Sequence, residues 1–227
     1  MSNSIAQAVD SHHVSPNVHL LPQSKLLRAL HTKVRARNAS RDEFVFYANR
    51  IIRLLIDASL ELLPFETKAV ETPVKEIYSG LDLAANLCGV SVVRSGESME
   101  AELRDALGAI PIGKILIQRD KLTKLPLHLY TNLPADISHR HVLLLEPMLA
   151  TGGSALEATK VLLDSGVPED HIIFVNFLAS PEGLRRFTAE RPGIRIVTSS
   201  IERSLNGNAF MLPGIGDFGD RYFGTDS

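Results

Sequence analysis

The chain has 227 residues, of which 44% are hydrophobic and 22% charged, and its formal net charge is −2. That length suits one domain with a sizeable core and an added arm, and the composition is ordinary for a soluble globular protein. The charge argues against nucleic acid as a main partner, because there is no excess of Lys and Arg to neutralise a phosphate backbone.

Residues 1–18 are polar and aperiodic and read as a disordered tail. They hold no basic segment followed by an apolar core, so no secretory signal is expected. Residues 19–227 read as a single domain, with 19–40 as an N-terminal arm carrying Pro22, a short helix and a basic run (Lys33, Arg35, Arg37). Ser40 and Glu43 form a capping box ahead of Phe44, Ala48, Ile51, Ile52, Leu55 and Leu62 at helical spacing. Pro64 is expected to end that helix. Residues 64–81 are mixed, with Pro73 and Gly80 as breakers.

From Leu87 the pattern changes. CGVSVVRSG, IGKILIQRD, HVLLLE, HIIFVNFLAS and IRIVTSS read as strands, the third apolar on both faces as buried parallel strands are. Residues 98–107, SALEATKVLLDSG and PEGLRRFTAE read as helices, the second closed by a glycine and the third opened by a proline. LPLHLYTNLP reads as a hairpin or flap. Strands alternating with helices imply βαβ units and a parallel sheet. The longest apolar stretch, Ile172–Ala179, is too short to cross a bilayer and the C-terminus carries no lipidation motif, so no membrane association and a cytoplasmic location are expected. Cys88, the single cysteine, sits in an apolar run and reads as a small buried hydrophobe. His12 and His13 lie in the polar tail, and no Cys-x-x-Cys or His-x-x-x-His pair offers a metal clamp.

The chemistry concentrates in HVLLLEPMLATGGSALEATKVL. A strand runs into Glu146, then a small-residue loop, then a helix. Such a loop aims backbone N–H groups at one anion, and the helix adds its partial positive charge. Thr151 and Ser154 can donate hydroxyls, and Glu146 at the lip can accept from two ribose hydroxyls. The other reading is a tight turn with a serine cap. No Gly-Lys-Ser/Thr follows the glycines, so the loop is not a nucleotide P-loop. Arg94 and Arg119 each end a strand on the same sheet edge, where guanidinium groups suit a diphosphate, or where they form surface ion pairs. MLPGIGDFGDRYFG, with Gly214, Gly216, Gly219 and Gly224, suggests close backbone approach. Exposed backbone groups there can read the edge of a flat base, or the segment is a structured terminal loop.

Together EPMLATGGS, VRSGESME, KILIQRD and PGIGDFGDRYFGT resemble uracil phosphoribosyltransferases of the eukaryotic type, from about Leu20 to Thr225. The resemblance implies an α/β, parallel-sheet phosphoribosyltransferase type I fold with an N-terminal arm and a C-terminal glycine-rich hood. It implies an enzyme that joins uracil to 5-phosphoribosyl-1-diphosphate (PRPP), releasing pyrophosphate and making UMP in pyrimidine salvage. Mg²⁺ is the implied cofactor, bound through PRPP and water, and a homodimer or homotetramer the implied assembly. Glu146, Pro147, Met148, Leu149, Ala150, Thr151, Gly152, Gly153 and Ser154 match the PRPP loop. Arg94 and Arg119 match the diphosphate-binding arginines. Met211, Gly216, Asp217 and Phe218 match the uracil-binding segment, and Asp217 also matches a residue on the PRPP side. Asp217, Arg94 and Arg119 are the implied catalytic groups, and a flap at 121–134 is expected to close over them.

The sequence departs from this pattern in three ways. Glu146 stands where aspartate is usual, which carries the carboxylate about 1.5 Å further out. Ser95 stands where alanine is usual. Arg41 and Arg50 match a guanine-nucleotide activator site, but Asn86 and Pro111 replace its other basic residues, so GTP activation is expected to be weak or absent. A transferase for another base is disfavoured because Pro147, not a second acid, follows Glu146. The alternative function is a catalytically silent paralogue that binds uracil or nucleotide in a regulatory role.

Overall fold

A computed structural model describes residues 15–119 and 126–225. The chain opens with an edge strand, β1 (Val18–Leu20), and two helices, α1 (Lys25–Arg35) and α2 (Arg41–Leu60). A hairpin of β2 (Phe65–Glu71) and β3 (Ile77–Leu83) precedes β4 (Leu87–Val93), a 3-10 turn (Ser95–Met99), α3 (Glu100–Leu107), β5 (Ile112–Arg119) and β6 (Pro126–Asn132). Then come β7 (His141–Leu145), the two-residue β8 (Met148–Leu149), α4 (Gly153–Asp164), β9 (Ile172–Ala179), α5 (Pro181–Glu190) and β10 (Arg195–Ile201). The chain finishes with β11 (Ser204–Leu205), β12 (Met211–Leu212) and α6 (Phe218–Phe223).

The main sheet runs β1-β10-β9-β7-β4-β5-β6, with β8 extending the pairing of β9. Its pairings are parallel except for β6 against β5. From β4 the chain proceeds outward to β5 and β6, then returns to the other side of β4 as β7. The crevice beyond the carboxyl ends of β4 and β7 is therefore the topological switch point, where open α/β sheets bind ligands.

Alternation along buried strands divides the core. Leu143 and Leu145 of β7 face α1, α2 and α6, packing with Leu30, Ile52, Leu55 and Phe218. Val142 and Leu144 face α4 and α5, packing with Ala158, Leu162 and Phe187. The capping box opens α2 as expected, with Ser40 accepting from the Glu43 N–H and the Glu43 carboxylate accepting from the Ser40 N–H. The helix ends at Leu60, ahead of Pro64, so Leu62 lies beyond it.

Two readings change. Residues 65–83 form the β2–β3 hairpin, which the sequence left unassigned. Every residue of β2 is exposed, so no buried face imprints a period on the sequence. The boundary of the N-terminal tail also moves, because Val18 pairs with Ile196 as the first residue of β1. The rest of that tail, His12 and His13 included, lies outside the described residues apart from 15–17. So does part of the expected flap, whose described portion contains β6. Cys88 is fully buried, and burial pushes its thiol up to about 12. Among the described residues no helix is long and apolar enough to cross a membrane.

Candidate active site

A cavity of about 440 Å³ opens at the switch point. Its floor is the carboxyl edge of the sheet (Val92, Val93, Ser95, Ile117, Glu146), one side is Met148, Ala150 and Ser154, and the roof is residues 208–211 and 214–219 of the C-terminal segment. Three separately read motifs thus meet around one space.

Glu146 follows β7 and is only 7% exposed. Its backbone is fixed from both sides. The N–H donates to the Val175 carbonyl at 3.3 Å, and the carbonyl accepts from Asn176 Nδ2 at 3.2 Å. Asn176 also donates to the Pro147 carbonyl at 3.1 Å and accepts from the Thr198 hydroxyl at 2.9 Å. A buried polar ladder across β7, β9 and β10 therefore holds the start of the loop. The carboxylate accepts from Ser95 Oγ at 3.0 Å.

The loop itself is partly strand, since Met148 and Leu149 pair with Leu178 and Ala179. Ser180 braces its next residue: its hydroxyl donates to the Ala150 carbonyl at 2.5 Å while accepting from the Gly183 N–H that starts α5. Gly152 turns the chain into α4 at φ +80, a conformation costly for residues with a Cβ. No side chain caps α4, and Ser154 of its first turn lines the cavity. The first-turn N–H groups are the kind that bind anions.

Arg94 stands at the end of β4, as expected. Its side chain turns toward the C-terminus rather than forming the cavity wall. It donates to Asp220 Oδ1 at 2.6 Å and Thr225 Oγ1 at 2.8 Å, and its guanidinium lies 5.5 Å from the Phe223 ring centre. The Thr225 hydroxyl and then Arg94 hold the Asp220 carboxyl below the usual range, and the small cost of burial does not offset them. Arg119 ends β5 beside Pro126; its side chain lies outside the described residues. Below this edge, Lys114 of β5 pairs with Glu97 at 2.7 Å and braces the 3-10 turn.

The C-terminal segment is tied to the N-terminal arm. Arg35 of α1 meets Glu202 at 2.6 Å, and donates to the Gly214 carbonyl at 3.1 Å. Glu202 in turn accepts from the Gly214 N–H at 2.7 Å. Burial acts to raise the Glu202 carboxyl, but Arg35, the Gly214 N–H and Ser200 outweigh it and hold the group below its ordinary value. Arg221 donates to the carbonyls of Val34, Ala36 and Ile215 and lies 4.2 Å from the Phe44 ring centre. Asp217 caps α6 by accepting from the Asp220 N–H at 2.9 Å, and Met211, Gly216 and Phe218 line the cavity with it.

Of the loop residues named from sequence, Glu146, Met148, Ala150 and Ser154 reach the cavity; Pro147, Leu149, Thr151, Gly152 and Gly153 shape the loop without lining it. Arg41 and Arg50 are not brought together into one pocket. Arg41 donates to the Tyr222 carbonyl at 3.0 Å, while Arg50 lines a separate groove with Leu26, Phe46 and Leu54. Sequence reading missed Asn208, Ala209 and Phe210 of the roof. It also missed Asn176, whose signal was a lone amide inside an apolar strand, and Ser180, whose signal was a serine two residues before a glutamate at a strand-to-helix turn.

The chain is similar to known proteins over nearly its whole length. Residues 21–225 match a family model described as uracil phosphoribosyltransferase. A Saccharomyces cerevisiae protein named uracil phosphoribosyltransferase is 50% identical over 207 residues, covering 91% of this chain and 96% of the relative. One of the same name from Dictyostelium discoideum is 50% identical over 210 residues, covering 92% and 97%. In solved structures, the AQ2163 protein of Aquifex aeolicus superposes with a TM-score of 0.80 at 24% identity, covering 91% of this chain and 97% of that one.

Proposed function

We propose how this chain, which belongs to the uracil phosphoribosyltransferase family, divides its reaction among the residues around the cavity. The activity is transfer of a phosphoribosyl group from PRPP to uracil, giving UMP and pyrophosphate. One observation carries the division: the cavity has the acid and the phosphate-loop residues along its floor and side, and glycine-rich backbone as its roof.

The loop from Ala150 to Ser154 and the uncapped start of α4 receive the 5′-phosphate. The Glu146 carboxylate accepts from the ribose hydroxyls. Uracil lies under Gly214–Phe218, whose backbone groups read its edge. As N1 bonds to the anomeric carbon, the bond from that carbon to pyrophosphate breaks with its electron pair leaving on the diphosphate, and the N1 proton passes to water. Positive charge develops on the ribose and negative charge on the leaving diphosphate. Arg94 and Arg119 stabilise the diphosphate, while the Asp217 carboxylate balances charge on the ribose side.

The described residues hold no cluster of three His, Cys, Asp or Glu that could hold a metal. The cavity does present two oxygen-donor carboxylates, Glu146 and Asp217. That set suits Mg²⁺ carried in on substrate phosphates and water, which would neutralise diphosphate charge when bound. Assembly into a dimer or tetramer is supported by the β2–β3 hairpin, on which Ile77 is 67% and Leu81 70% exposed.

The test is UMP formation with and without divalent cation. Loss of product on chelation and its return with Mg²⁺ is the expected outcome. Full turnover in chelator would remove the metal from the reaction.

A further inference from the structure

Glu146 sits at the site, and a glutamate has three side-chain torsions to order before its carboxylate can meet a diol. A carboxylate that wanders among rotamers binds a diol weakly, because ordering it on binding costs entropy. Ser95 is one group that holds the head group. Ser95 Oγ donates to Glu146 Oε1 at 3.0 Å, and both residues line the cavity. A carboxylate has about four lone-pair sites, so accepting from Ser95 is compatible with accepting from ribose hydroxyls as well.

The donor is itself well fixed. Its backbone lies in the 3-10 turn after β4, where the Ser98 hydroxyl donates to the Ser95 carbonyl at 2.7 Å. The neighbouring Gly96 packs so closely on β7 that an added Cβ would lie 2.1 Å from the Leu145 carbonyl oxygen. This approach, which only a glycine allows, brings the turn after β4 against the residue after β7. The two positions are also two of those at which the sequence departs from the pattern it resembles.

We infer that Ser95 is a positioning residue that acts through Glu146: its hydroxyl aims the longer carboxylate at the ribose diol, making the serine and the glutamate a coupled pair. The inference rests on the phosphoribosyl-transfer reading of the cavity. It separates Ser95 from Arg94 beside it, whose guanidinium pairs with Asp220.

The experiment is a double-mutant cycle on Ser95→Ala and Glu146→Asp, read by calorimetric affinity for ribose 5-phosphate and by KM for PRPP and for uracil. Ser95→Ala is expected to weaken ribose 5-phosphate binding and raise KM for PRPP by about tenfold, the scale for a hydrogen bond to a charged group, with KM for uracil and the melting temperature unchanged. Ser95→Thr, which keeps the hydroxyl, is expected to restore most of the affinity. On the Glu146→Asp background the serine is expected to lose most of its effect, because the shorter side chain withdraws from it. Equal effects of Ser95→Ala on both backgrounds, or no effect on ribose 5-phosphate affinity, would overturn the coupling. Absence of UMP synthesis by the unsubstituted protein would instead overturn the reading of the reaction, while the binding cycle would still decide the coupling.

Discussion

Arg94 gives up little when it turns from Asp220 to a diphosphate. Its side chain is 44% exposed and that of Asp220 39%, and ion pairs this open contribute about 0–1 kcal/mol. The reward is larger, because a preorganised cation facing the charge that develops in the transition state contributes about 2–4 kcal/mol. Arg94→Ala is therefore expected to lower kcat/KM for PRPP by that amount, with a wild-type value removing Arg94 from the site. At this scale the sequence was informative wherever chemistry needs a rare residue at a strand end, as at Glu146, Arg94 and Asp217. It was silent where the role depends on a distant partner. Ser95 stood out only as a departure from alanine, its meaning set by the packing of the turn after β4 on β7, and Asn176 is one amide in an otherwise apolar strand.

The C-terminal segment depends on an element nearly the whole chain away. Arg35 on α1 and Glu202 beyond β10 grip both the N–H and the carbonyl of Gly214. The Glu202 side chain is 1% exposed, so removing its partner leaves a buried charge, a change that costs about 3–5 kcal/mol. Arg35→Met is expected to show that loss in denaturant unfolding and to raise KM for uracil more than KM for PRPP. Unchanged KM values with reduced stability would make the pair a brace for the fold alone. The segment's glycines and its place over the site were legible in the sequence; its anchor was not, since Arg35 read only as part of a basic run. The β2–β3 hairpin was illegible for the opposite reason. With so little of it buried, nothing patterns its residues, whereas the buried strands β7 and β9 announce themselves as apolar runs.

For the whole molecule, acid stability follows from His31. It is buried against Phe177, and neither ring nitrogen reaches a partner at good hydrogen-bonding geometry, although the Ser199 backbone is close enough to oppose the shift slightly. Burial, and then Arg35, lower its value from 6.5 to about 4 against the opposing pull of Glu202. The unfolded chain thus binds a proton that the folded chain refuses between these values. Stability is present above pH 6.5 and falls as pH drops toward 4, by about 1.4 kcal/mol per unit at most. Glu202, whose value is depressed, loses its contribution only lower, below the ordinary carboxylate value of 4.5. His31→Leu is expected to flatten the fall between pH 6.5 and 5 in denaturant titrations; an unaltered slope would show that other groups set it. GTP is expected to raise turnover little or not at all, because Asn86 and Pro111 bring no charge to the activator site that Arg41 and Arg50 match. A rate increase with GTP would contradict this. The α/β fold was readable from the alternation of elements, and its switch point places at one edge the motifs that the sequence scatters from Arg94 to Phe218.

The most direct test supplies the purified protein with PRPP and Mg²⁺ and offers uracil, hypoxanthine or orotate in turn, measuring the nucleotide formed. UMP from uracil, with no product from the other two bases, is the predicted result. No UMP from protein that still binds PRPP or uracil in a calorimeter would contradict it, and would make the chain a silent relative that keeps the site without the reaction.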